Sequence, residues 1–265
     1  MPRTLSQQQR HIRQKLLRLY YGASCGHIAC SLSCIDIVQA AYSWKAASEE
    51  FILSKGHAAG AMYVVLNALG RISDEQLTSF YKDGTKLAAH PSAGTSRDIP
   101  FALGSLGHGL PIATGIAYGK NHVGLADRTF VLMSDGETNE GTTWEAAHFA
   151  VRNSLSGLFV IIDKNGLQGF GRTSDVLGDT ADPAVWRAMG FRVIEGDGHN
   201  EAFLKSFMDE TRPDADGRPT VLIANTVKGC GVPYMEDKLE WHYLPMNKEL
   251  FDDAMTYLEE SGHAE

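Results

Sequence analysis

The spacing of apolar positions changes part-way along this chain. Over residues 5–21 they recur at helical intervals, with Ile12, Leu16, Leu17 and Tyr20 on one side, which predicts an amphipathic helix. Ile35 to Trp44 reads as a second helix. Lys55 to Gly70 reads as a third, with Gly70 as its stop. From about Asp83 to Gly109 the pattern dissolves into a Gly- and Pro-containing stretch, and a loop of that length in a folded domain usually carries function. Beyond it the pattern becomes regular. Thr129–Ser134, Leu158–Asp163, Phe191–Glu195 and Thr220–Asn225 are short apolar runs of strand type. Thr142–Asn153 and Glu201–Glu210 are helical. Apolar strands alternating with helices predict an α/β fold, a parallel sheet with helices on both faces. Sheets of this kind bind ligands beyond the carboxyl ends of their strands, so the residues that follow each strand are the first candidates for chemistry.

Two strand ends stand out. Ser134-Asp135-Gly136-Glu137 closes one apolar run and Asp163-Lys164-Asn165-Gly166 closes the next. One βαβ crossover separates them, so Asp135 and Asn165 can emerge at the same sheet edge. A carboxylate and an amide oxygen are hard ligands suited to Mg²⁺, which is typically held by few protein groups and completed by phosphate oxygens and water. Gly136 would let a phosphate approach the backbone. Asp-Gly and Asn-Gly are also ordinary turn pairs, so these residues alone leave both readings open.

Composition narrows the partners. The net charge of −8 offers no basic patch for nucleic acid, yet a bound cation could still bring in a small anion. No apolar run approaches the length of a membrane span, and residues 1–21 lack the apolar core of a signal peptide, so a cytoplasmic location is expected. Cys25, Cys30, Cys34 and Cys230 are then expected as reduced thiols. The first three lie near His27, but their spacing matches no common zinc pattern and small buried thiols are the default.

Further blocks follow one another along the chain: Gly26-His27, Leu53-Ser54-Lys55-Gly56-His57-Ala58-Ala59, His90-Pro91, Gly104-Ser105-Leu106-Gly107, the Asp135 and Asn165 blocks with Glu140-Gly141 and Trp144-Glu145-Ala146-Ala147 between them, Ala224 through Val232, Met235-Glu236, and Trp241-His242. In this order, from about His11 to Tyr243, they resemble the thiamine-diphosphate-binding module of the transketolase family. The resemblance implies thiamine diphosphate as cofactor with Mg²⁺ (or Ca²⁺ or Mn²⁺). It implies Asp135, Asn165 and the Leu167 carbonyl as metal ligands, and places Gly136 and Glu137 in the cofactor motif. His57 would lie near the diphosphate, and Gly104 and Leu106 at the cofactor's pyrimidine ring. His27, His90 and His242 would line the sugar channel as catalytic groups, and Glu140 would link active sites across a subunit interface. Without the resemblance, Glu140 could equally be a solvated acid in the first turn of a helix. His11, His122, His148 and His263 match no block and are expected to be structural or exposed.

Residues 1–265 correspond to one diphosphate-binding domain. The pyrimidine and C-terminal domains of longer transketolases are expected on a partner chain, as in split transketolases. The implied activity is transfer of a two-carbon ketol unit from a ketose to an aldehyde acceptor, by an α2β2 heterotetramer acting on sugars or sugar phosphates. Modules of 1-deoxyxylulose-5-phosphate synthases share several blocks, and a cofactor-binding regulatory paralogue is the alternative that is not an enzyme. The sequence departs from the family pattern at Gly60, His108, Ser134 and Tyr243. Tyr243, beside His242, raises the prospect of an unusual sugar.

Overall fold

The computed structural model describes residues 3–261. His263 lies outside the described residues. Helix α1 (Gln7–Ala23) begins at Ser6, whose hydroxyl accepts the Gln9 N–H at 3.2 Å while the Gln9 side chain accepts the Ser6 N–H at 3.0 Å. This reciprocal cap satisfies two amides that a helix start leaves bare. Helix α2 (Ile28–Trp44) starts a full two turns before the sequence pattern suggests. Its small and apolar residues are buried on every side, so it carries no amphipathic signal.

Strand β1 (Glu50–Leu53) leads through a single 3₁₀ turn at Gly56–Ala58 into α3 (Ala59–Ala68), and α4 (Asp74–Thr78) follows. Lys55 therefore lies in the turn after a strand rather than opening a helix. The chain from Ser79 to His108 forms no helix or strand, as its composition suggested. Then come α5 (Gly109–His122), β2 (Thr129–Ser134), α6 (Gly141–Arg152) and β3 (Leu158–Lys164). A small hairpin of β4 (Leu167–Gln168) and β5 (Gly171–Arg172) precedes α7 (Thr173–Leu177) and α8 (Pro183–Met189). The chain continues through β6 (Arg192–Asp197), α9 (Glu201–Glu210), β7 (Thr220–Asn225) and α10 (Lys248–Glu260).

Five strands form one parallel sheet in the order β1-β2-β3-β7-β6. Side chains alternate across it. Phe130, Leu132, Phe159, Ile161 and Leu222 face one layer, packed with α1, α2, α3 and α9. Val131, Met133, Val160, Ile162, Val221 and Ile223 face the other, with α5, α6 and α8. Burial on both faces explains why these strands read as continuous apolar runs. Each fully buried Leu, Ile or Phe contributes roughly 1.5–3 kcal/mol of transfer free energy. This double core holds the sheet rigid and fixes where its carboxyl edge presents polar side chains. In the β2–β3 register Ser134 lies opposite Asp163, so the next residues, Asp135 and Lys164-Asn165, leave the same edge together.

Candidate active site

A cleft of about 440 Å³ opens over that edge. It receives side chains from the ends of β1, β2, β3 and β7, from the start of α2, from the irregular 79–108 stretch and from the 3₁₀ turn at Leu239–His242.

Four imidazoles meet there. The His27 ring lies 5.6 Å from that of His57, 6.1 Å from that of His90 and 5.3 Å from that of His242, and His57 and His242 are 5.8 Å apart. Backbone geometry enforces the arrangement. His27 sits at φ +71°, a left-handed conformation that a non-glycine residue adopts only under constraint. Its N–H donates to the His242 carbonyl at 3.1 Å. The preceding Gly26 leaves no room for a side chain, because a Cβ there would stand 2.4 Å from the Tyr243 carbonyl oxygen.

Burial lowers the basicity of the histidines. His27 falls to about 4 through burial and then the neighbouring His242, His90 and Lys228. His57 falls to about 4 through burial and the nearby Lys55 and His27, against an opposing contribution from Cys30. His242 falls to about 4 through burial, Lys228 and Lys55. His90, more exposed, is lowered by burial. Near neutral pH these rings are neutral, each with one donor and one acceptor nitrogen.

The strand ends supply oxygen. Asp135 Oδ1 accepts the Gly136 N–H at 2.8 Å; Oδ2 accepts the Gly166 N–H at 2.6 Å and the Thr173 hydroxyl at 3.1 Å. Burial, and then the charge of Asp163, push Asp135 up to about 6. Asn165 Oδ1 accepts the Leu167 N–H at 3.1 Å. Gly136 packs so closely on Gln168 that an added Cβ would meet the Gln168 Cβ at 2.9 Å. A buried carboxylate, an amide oxygen and the Leu167 carbonyl beside a glycine-lined wall fit a hard divalent cation carrying phosphate oxygens.

The other expected residues divide. Gly104, Leu106 and Glu140 line the cleft, with Glu140 exposed. Glu137, expected in the cofactor motif, points into the protein instead. Its Oε1 accepts the Ser54 hydroxyl and, at 2.8 Å, the Gly107 N–H, while Oε2 has no partner among the described residues, and burial pushes the carboxyl up to about 7. Glu137 therefore ties the Gly104–Gly107 turn to the sheet. His108 turns back on the Leu106 carbonyl at 3.0 Å. Tyr243 reaches across the cleft mouth, its hydroxyl donating to the Gly169 carbonyl at 3.0 Å. His11, His122 and His148 are exposed. Cys30, Cys34 and Cys230 are buried and Cys25 half-buried, all as free thiols.

Three cleft residues carried no assigned role in the sequence. Lys55 is fully buried, pairs with Asp163 and donates to the Cys30 carbonyl at 3.0 Å. Lys228 donates to the Leu167 carbonyl at 3.2 Å and lies 3.0 Å from His242 Nδ1. Burial opposes ionisation of the Cys30 thiol, but Lys228, His57 and Lys55 outweigh it and lower the thiol to about 6. Both lysines stand inside glycine-rich strand-end blocks, and a buried cation in such a place was a signal available to the eye.

At the level of class, this is a parallel α/β domain with a cation- and phosphate-compatible cleft at its carboxyl edge, roofed by histidines. Residues 34–258 match the family described as "Transketolase, thiamine diphosphate binding domain". The chain is 33% identical over 250 residues to one of the named subunits of an apulose-4-phosphate transketolase from Actinobacillus succinogenes, covering 90% of each chain. It is 31% identical to a 6-deoxy-6-sulfo-D-fructose transketolase subunit of a Clostridium strain, covering 97% of each. The transketolase of Campylobacter jejuni superposes on 96% of the chain with a TM-score of 0.83 at 24% identity, and the match spans 42% of that longer chain. The chain belongs to the transketolase family, as its thiamine-diphosphate-binding, N-terminal-subunit type. It is a transferase of the transketolase type.

Proposed function

We propose that this chain is the diphosphate-binding subunit of a two-component transketolase that uses thiamine diphosphate and Mg²⁺ to move a two-carbon ketol unit between sugars. The observation that carries the reading is the meeting of four neutral histidines above the Asp135–Asn165 edge in one cleft. Asp135, Asn165 and the Leu167 carbonyl would hold the metal, Gly136 and His57 would face the diphosphate, and Gly104 and Leu106 the pyrimidine ring. When bound, the cofactor supplies the carbon nucleophile that such a transfer requires.

The chain's own part is orientation and proton traffic. His27, His90 and His242 face the space above the metal-binding edge, where the carbonyl and hydroxyl oxygens of a sugar would lie. Imidazoles can donate to an oxygen that gains negative charge and accept a proton from a hydroxyl that loses one, whereas carboxylates in their place would repel the developing charge. Glu140 would act across a subunit interface.

A partner subunit carrying the pyrimidine and C-terminal modules completes the enzyme, as a cytoplasmic α2β2 heterotetramer. Relatives that match 90–97% of this chain are named as subunits, which supports that reading. So does the apolar rim of the cleft, where Phe170 is 85% and Leu177 62% exposed. The names of those relatives, one for a sugar phosphate and one for a sulfonated sugar, favour a specialised ketose bearing an anionic group. The purified chain with thiamine diphosphate and Mg²⁺ should show no ketol transfer. Adding a partner chain that carries the pyrimidine module should restore transfer and tighten cofactor binding together. Full transfer by the isolated chain, unchanged by that partner, would contradict the two-component reading.

A further inference from the structure

Lys228 is 2% exposed, lines the cleft, and forms no salt bridge with a carboxylate among the described residues. A buried ammonium with no carboxylate partner must be held by other acceptors. Here they are the Leu167 carbonyl at 3.2 Å and His242 Nδ1 at 3.0 Å. An ammonium has three N–H donors and no lone pair, so Nδ1 must be the acceptor. A neutral imidazole that accepts at Nδ1 carries its proton on Nε2. Cys30 Sγ lies farther away, 3.7 Å from the same Nδ1. It does not reverse the assignment, because a proton on Nδ1 would point at the ammonium 3.0 Å away. Nε2 has no hydrogen-bond partner among the described residues, and the ring is one of those lining the cleft.

We propose that Lys228 is a positioning residue that locks His242 in its neutral Nε2–H tautomer, so that His242 meets the sugar as a hydrogen-bond donor and not as an acceptor. The role in the reaction rests on the placement of His242 in the sugar channel; the tautomer itself does not. A fixed donor is worth most where a carbonyl oxygen gains negative charge, because it is already oriented when the charge develops. The depressed basicity of His242 acts in the same direction, since a ring that stays neutral keeps a single donor nitrogen.

Long-range ¹H–¹⁵N correlation spectra of the isolated, ¹⁵N-histidine-labelled chain at pH 7.5 test this directly, with His242 assigned by its loss in His242→Gln. The expected result is a protonated Nε2 and an unprotonated Nδ1 at His242. Lys228→Met should release the lock, so that the Nδ1–H form or the imidazolium appears. Lys228→Arg, which keeps a donor, and Cys30→Ala should preserve the Nε2–H form. A wild-type His242 protonated at Nδ1 or on both nitrogens would overturn the proposal, as would a folded Lys228→Met chain with an unchanged His242 spectrum. Should Lys228→Met not fold, the wild-type and Lys228→Arg spectra decide. No cofactor, sugar or partner is in the tube, so failure here leaves ketol transfer standing, and failure of ketol transfer leaves the tautomer standing.

Discussion

Arg13, Asp36 and His199 form one histidine-containing polar cluster in this fold; His27, His57, His90 and His242 form another. In the first, Arg13 donates to both Asp36 oxygens at 2.9 and 2.6 Å, and His199 Nδ1 lies 2.7 Å from Asp36 Oδ2. The second ring nitrogen of His199 accepts the Val227 N–H at 3.0 Å. Against the cost of burial, Asp36 and Cys230 raise the basicity of His199, while the Val227 N–H points at Nε2 and leaves Nδ1 as the ring's donor to Asp36. Every polar atom of that triad is used, and it pins α1 and α2 to the β6–α9 turn and the loop after β7. In the second cluster His57 and His242 stack, His27 meets the other rings edge-on or tilted, and His242 leans on Lys228 and a thiol, with capacity left facing the cleft. Both contain histidine, but the first is fully buried and the second is half-buried to exposed. A closed network holds the fold, whereas an incomplete one that faces a cavity awaits a ligand.

That contrast can be broken at several points. The largest expected effect is on turnover. His27→Ala, His90→Ala or His242→Ala, each assembled with the partner, should lower kcat by roughly 10²–10⁴-fold while leaving cofactor affinity and chain stability nearly intact. Collapse of cofactor loading in those variants would make the open cluster a binding element instead. Next comes Asp36→Ala, which strands the buried Arg13 and should cost about 3–5 kcal/mol in denaturant unfolding. A cost under about 1 kcal/mol would show that the closed cluster is not structural.

A third test uses pH. His27, His57 and His242 sit at about 4 in the fold against an ordinary value near 6.5, so the unfolded chain binds the extra protons. Their contribution is fully present above about pH 6.5 and is lost as pH falls toward 4. Thermal melts of the isolated chain should therefore fall across that window, and a His27→Asn/His242→Asn double variant should fall less. An equal slope in both would remove the burial argument. The smallest effect belongs to Tyr243→Phe, which loses only the bond to the Gly169 carbonyl. It should change the kcat/KM ratio between two aldehyde acceptors by a few-fold, about 1 kcal/mol or less.

The strands β2, β3 and β7 were legible because they are buried on both faces and read as unbroken apolar runs. The same sheet hid β1, whose four residues are too short to announce a period. Helix α5 was hidden by Pro111 and by Gly109, Gly115 and Gly119, and the start of α2 by uniform burial. The histidines of the cleft were legible from their glycine-rich blocks, since irregular backbone at strand ends is where side chains can converge. The direction of the Glu137 carboxyl was not legible, because it depends on Ser54 and Gly107, 83 and 30 positions away. His199 escaped notice for the same reason: its partners, Asp36 and Val227, are distant in sequence.

The central claim is that the carboxyl edge of the sheet holds thiamine diphosphate through a divalent cation on Asp135. Calorimetric titration of the chain assembled with its partner, with and without Mg²⁺, measures that directly for the wild type and for Asp135→Ala. The account predicts binding that requires Mg²⁺ in the wild type and disappears in Asp135→Ala, with the circular dichroism spectrum unchanged. Equal affinity in the two proteins, or binding indifferent to the metal, would contradict it.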